Sequence, residues 1–187
     1  SHASRRSATR AKVCRGATRH RERDCLRRVR ERRGGGPQQE RNIRLYVMNN
    51  LDIDRILKAN CLQFRGVYSR DTLPDDDIKG LIVCNTDPHD KPGEHWVAMY
   101  FDGERGEYFD SFGRPPPKLF KDYMNKHCKQ WTFNERQLQS VCSRFCGHYC
   151  VYYCLLRSNG HDIRRIASSL TDDTGFNDVI VHGFICH

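Results

Sequence analysis

The stretch from Phe145 to Leu156 is apolar on nearly every side of a helix, and Ser158-Asn159-Gly160 closes it after three turns. A helix with no polar face to give to water must be wrapped by the rest of the chain. The material for wrapping it is limited. Of 187 residues 37% are hydrophobic, and the mean hydropathy is −0.78. One modest core fits, and two full domains would be a squeeze. No apolar run approaches the ~20 residues of a membrane span, and the N-terminus lacks the apolar region of a secretory signal. Neither a membrane protein nor a signal-directed secreted one is expected.

The covering elements can be read in order. Asn50 ahead of Leu51, Ile53, Ile56 and Leu57 reads as the N-cap of an amphipathic helix ending near Asn60. Residues 63–77 read as a loop anchored by Phe64, Val67 and Tyr68. Gly80 to Asn85 is a short buried strand, and His95 to Phe101 with Glu107 to Asp110 is a hairpin about the turn Gly103 to Gly106. Its first strand is apolar on both faces and belongs in the middle of its sheet. Pro115-Pro116-Pro117 leads into a helix ending near His127, and Trp131 to Phe133 is one more strand. A terminal helix is expected from Asn177 or Asp178. This order predicts an α+β fold, a small mixed sheet packed on the buried central helix.

Charge divides the chain. Residues 1–45 carry 15 Lys/Arg against 4 Asp/Glu, a net of +11, while residues 46–187 carry 17 against 19, a net of −2. The basic balance therefore belongs to an arm, expected to be disordered or loosely helical and ending in the linker Gly34-Gly35-Gly36-Pro37. The arm reads either as a nucleic-acid or nuclear-localisation run, or as a solvated tail outside the domain. The chain opens on Ser, which suggests a fragment, and a globular composition begins at Met48.

Ten cysteines without a secretion signal point to a reduced compartment, not a disulfide framework. Cys142, Cys146, Cys150 and Cys154 recur every fourth residue. On one straight helix they would span about 18 Å and could not surround a zinc ion, so the default is small core thiols and no metal site is expected. Cys146 differs. With Ser143 as N-cap it would sit in the first helical turn, where free N–H groups favour a thiolate, and Gly147 would let another segment approach closely. His148, two residues on, would point away from it. The other histidines include His127, His161 and His182, which sit near helix ends where a solvated role is the default. His95 is the best base, at the mouth of a buried strand beside Trp96, and Asp110 returns to the same sheet edge across the hairpin.

Taken together, Phe64-Arg65-Gly66-Val67-Tyr68, Gly93-Glu94-His95-Trp96, Tyr108-Phe109-Asp110-Ser111-Phe112-Gly113, and Leu138-Gln139-Ser140 followed by Cys146-Gly147-His148 resemble the adenovirus-type cysteine endopeptidases (adenain). That family is related in fold to the SUMO-deconjugating proteases, and the chain looks most like the versions carried by large virus-like DNA transposons. The resemblance covers residues 48–185. It implies His95 as base, Asp110 as its orienting acid, Cys146 as nucleophile and Gln139 as an oxyanion donor beside the Cys146 backbone N–H. It also implies a protein substrate with small residues, often Gly-Gly, at the scissile bond. The viral enzymes take an activating peptide, disulfide-linked to a cysteine, and DNA; Cys128 stands at the matching spacing before Gln139. The short region after Gly160 implies a reduced or truncated C-terminal part.

The leading expectation is an intracellular thiol endopeptidase, monomeric and in a nuclear or virion-like setting, needing no cofactor for its chemistry. Two rivals stay open. One is an isopeptidase removing a ubiquitin-like modifier; the other is a protease relic whose arm binds nucleic acid.

Overall fold

The computed structural model describes residues 47–186; the expected basic arm, with Gly34-Gly35-Gly36, lies outside the described residues. Helix α1 (Asn50–Asn60) is capped by Asn49, one residue before the expected Asn50. The Asn49 side chain accepts from the Leu51 and Asp52 backbone N–H groups, and Asp52 reaches back to the Asn49 N–H. Ile53 and Leu57 on its inner face are fully buried, a contribution of about 1.5–3 kcal/mol for each such side chain.

Five strands form one sheet: β1 (Phe64–Ser69), β2 (Gly80–Asn85), β3 (Trp96–Phe101), β4 (Arg105–Phe109) and β5 (Gln130–Phe133), in spatial order β1-β2-β3-β4-β5. The outer pairs β1/β2 and β4/β5 are parallel and the inner pairs are antiparallel. As its apolar run requires, β3 is central, with Val97, Ala98 and Met99 fully buried. Strand β1 replaces the loop expected over 63–77. A break in register between Phe64 and Gly66, with Gly66 at φ +146°, hides its alternation in the sequence.

Alternate residues of the sheet feed two cores. Leu81, Val83, Ala98 and Phe109 pack on helix α3 (Cys146–Ser158), whose Tyr149, Cys150, Val151, Tyr153 and Cys154 are all fully buried. Ile82, Cys84, Met99, Phe101 and Tyr108 pack on the opposite side against Phe120 and Met124 of helix α2 (Lys118–His127). The sheet is thus a layer between two helices, and the expected buried central helix is α3. A partly buried ion pair ties its last turn to β4: Arg157 Nε donates to Glu107 Oε2 at 3.1 Å, and the Tyr153 hydroxyl donates to the same oxygen at 2.6 Å.

Two short-range expectations change. Cys142 lies ahead of α3, so the four-cysteine stripe shrinks to Cys146, Cys150 and Cys154. The C-terminal part holds two helices instead of one, α4 (Ile163–Ser168), capped by Asp162, and α5 (Thr174–Cys186), whose first N–H groups at Gly175 and Phe176 donate to Asp173.

Candidate active site

Cys146 is the first residue of α3. The N-cap position belongs to Phe145, which has no side-chain oxygen to offer, and the expected cap Ser143 instead donates its hydroxyl to the Ser140 carbonyl. The helix start is left without a side-chain acceptor, so its N–H groups and positive dipole end face the thiol and whatever binds beside it. Gly147 makes room for this. A Cβ there would stand 3.1 Å from Met48 Cβ and 3.3 Å from Ile53 Cδ1, so α1 and the segment before it press directly on the helix start.

His95 stands just ahead of β3, with its side chain 13% exposed, and its Nε2 lies 2.7 Å from Asp110 Oδ1. The hairpin turn is Asp102 to Arg105, since Phe101 pairs with Gly106, one residue earlier than expected and still in the parity that lets 95 and 110 meet. Phe112 stacks on the imidazole with ring centroids 5.1 Å apart. Cys146 lines the same cleft as the ring and acts on its charge. Burial pushes His95 toward its neutral form, but the hydrogen bonds to Asp110 and Cys146 and their charges outweigh it, and the pKa is raised to about 9.

Asp110 is held on every side. Its Oδ1 also accepts from the Phe112 N–H at 2.9 Å, while Asn134 accepts from the Asp110 N–H and donates to its carbonyl. Gln139 is 1% exposed; the Ser111 hydroxyl donates to its Oε1 at 2.6 Å, and its Nε2 donates to the Ser143 carbonyl at 3.1 Å, leaving one amide hydrogen. Cys146, His95, Gln139, Trp96 and Asn85 line one open cleft of about 640 Å³. The structure therefore brings His95, Asp110, Gln139 and Cys146 together from three separate parts of the chain.

No protein-family model matches the chain, and no curated protein does. Solved structures do. The crystal structure of the ASFV pS273R protease matches with a TM-score of 0.56 and 18% identity, covering 85% of this chain and 78% of that chain. The Se-Met crystal structure of the same protease matches with a TM-score of 0.51 and 19% identity, over 79% of this chain and 70% of that one. The chain thus shares the mixed α+β fold of that protease.

On this protease fold the sequence reading misses the residues that hold the others. Ser111 and Asn134 are buried polar side chains whose partners lie 28 and 24 residues away. Asn177 and Asp178, read only as a helix start, brace the Gln139 segment: Asn177 Nδ2 donates to the Leu138 carbonyl, and Asp178 Oδ1 accepts from the Tyr149 hydroxyl. Two histidines depart from the solvated default. His127 is buried against Tyr123 at 4.3 Å, and His182 lies beside the buried His148. Cys128 is not part of the cleft. It is 7% exposed, and its thiol donates to the Met124 carbonyl beneath Gly106, so a mixed disulfide with a peptide would require it to be uncovered first.

Proposed function

We propose that the chain is a cysteine endopeptidase. The observation that carries this reading is His95, bonded through Nε2 to Asp110 and sharing one cleft with Cys146 at an uncapped helix start. Asp110 fixes the ring, which leaves Nδ1 for the thiol. The thiolate is the nucleophilic form, and His95 takes up the proton it loses. The Cys146 sulfur attacks the scissile carbonyl carbon, and the negative charge moves to the carbonyl oxygen. That oxygen is held by the Cys146 backbone N–H and the remaining Gln139 amide hydrogen, each donor worth about 3 kcal/mol in comparable acyl transfer. His95 gives its proton to the leaving amine as the C–N bond breaks. It then takes a proton from the water that splits the thioester, releasing the acid and restoring the thiol pair.

The substrate is a protein segment entering an open cleft that Trp96 and the Lys91-to-Glu94 loop line beside Cys146, with Gly residues at the scissile bond. The arm of residues 1–45 localises the domain on nucleic acid in a nuclear or virion-like setting. A quenched fluorescent peptide containing Gly-Gly tests the reading. Cleavage by the native chain falls by at least about 10³-fold in Cys146→Ser and in His95→Ala, and by about 10²-fold in Gln139→Ala. Activity retained in His95→Ala overturns the base assignment. Hydrolysis only of a Lys-linked Gly-Gly conjugate, and never of the linear peptide, makes the chain an isopeptidase instead.

A further inference from the structure

His148 is the anomaly of the central helix. Its side chain is fully buried, yet neither ring nitrogen has a hydrogen-bond partner among the described residues. Natural cores rarely leave both polar atoms of a buried ring unserved, so such a group calls for an explanation. It is not a second base for Cys146, because a residue two positions along a helix faces elsewhere. What His148 faces is α5. The His182 ring stacks on it with centroids 5.7 Å apart, and Phe145 closes the edge at 4.8 Å. Cys186, one helical turn beyond His182, puts its Sγ 3.6 Å from His182 Nε2. One ligand atom from each of His148, His182 and Cys186 falls within 4.8 Å of the other two.

The spacing is that of a metal site slightly open. With Zn–S of about 2.3 Å and Zn–N of about 2.0–2.1 Å, tetrahedral angles put sulfur and nitrogen about 3.6 Å apart and two nitrogens about 3.4 Å apart. The Cys186–His182 separation already has that value, and the others, all within 4.8 Å, need at most about 1.4 Å of closure. His182 and Cys186 lie at i and i+4 on the outer helix, where their side chains have room to turn. Two imidazoles and a thiolate without a carboxylate suit a borderline-soft ion and not calcium or magnesium, which take oxygen ligands.

We propose that His148, His182 and Cys186 bind a zinc ion that pins α5 to the helix carrying Cys146, with a water as fourth ligand. Binding forms one Zn–S and two Zn–N bonds, and the Cys186 thiol gives its proton to solvent. The clamp matters beyond its own helix, because α5 also carries Asn177 and Asp178, which brace the Gln139 segment. The proposal does not rest on the protease reading, and its test is run without the thiol of the active site.

The test uses the full chain carrying Cys146→Ala, stripped with a chelator and titrated with zinc and, separately, with cobalt as a spectroscopic stand-in. The expected result is one equivalent of zinc bound at micromolar affinity or tighter. Cobalt should give the intense visible bands of a tetrahedral site and a thiolate charge-transfer band. At a free zinc concentration about 100-fold above Kd the unfolding midpoint should rise by about 5–10 °C. In Cys186→Ser and His182→Asn, both outside the core, affinity should fall by roughly 100-fold and the thermal shift should vanish, and the charge-transfer band should be missing from Cys186→Ser. Zinc binding and thermal shift unchanged in both variants would place the metal elsewhere and overturn the proposal. Failure of the parent chain to bind an equivalent would overturn it too.

Discussion

At the residue scale, the site depends on one imidazole that its neighbours hold protonated. The His95 pKa is raised to about 9, above the ~6.5 of an unfolded histidine, so folding gains stability from this group at low pH and loses it as pH rises from about 6.5 through about 9. Denaturant midpoints of the native chain and of His95→Gln, measured across pH 6 to 10, should differ most at the acid end and converge toward the alkaline end. A difference that grows with pH would mean that the ring is held neutral. Ser111 makes a second residue-scale prediction. Its hydroxyl fixes the Gln139 amide, so Ser111→Ala should lower kcat by about tenfold or more with little change in KM, and Ser111→Thr should restore part of the loss. A change in KM alone would give Ser111 a binding role instead. His95 and Asp110 could be read from the sequence because a hairpin is local and its parity can be counted. Ser111 and Asn134 could not, because a buried serine or asparagine looks like any loop residue until its distant partner is placed.

At the level of elements, α3 is positioned at both ends. Its start is set by close approach: Gly147→Ala would push a methyl group onto Met48 and Ile53, and overpacking of this kind costs about 1–3 kcal/mol. Because the displaced atoms adjoin Cys146, the variant should lose activity beyond what its stability loss explains, as thermal unfolding and kinetics measured together will show. Its end is set by charge. Arg157→Ala removes the charged partner of the Glu107 carboxylate, leaving it the Tyr153 hydroxyl, and the cation over the Tyr100 ring, and should cost about 3 kcal/mol, read from the shift in denaturant midpoint. The burial of α3, the central place of β3 and the start of α2 after three prolines were legible because each rests on a run of like residues. Strand β1 and helix α4 were not. The first depends on pairing with β2 across a bulge, and the second is six residues long and is recognised by its Asp162 cap, not by any periodicity. The Ser143 cap was a reasonable expectation that failed because Ser143 bonds backward to Ser140 and lets the helix begin two residues later.

For the whole molecule, the proposed reading assigns localisation to the +11 arm and chemistry to the −2 domain. Removing residues 1–45 should abolish binding to duplex DNA at low salt, followed by mobility shift, and leave the reactivity of Cys146 unchanged. Loss of thiol reactivity in the shortened chain would make the arm part of the catalytic unit. The central claim is that one cysteine among ten is the nucleophile, and it is tested most directly by a peptide vinyl sulfone applied to the folded chain, with the adduct mapped by mass spectrometry. The account predicts a single adduct on Cys146 that disappears in His95→Ala. An adduct on another cysteine, or none while the chain is folded, would contradict it.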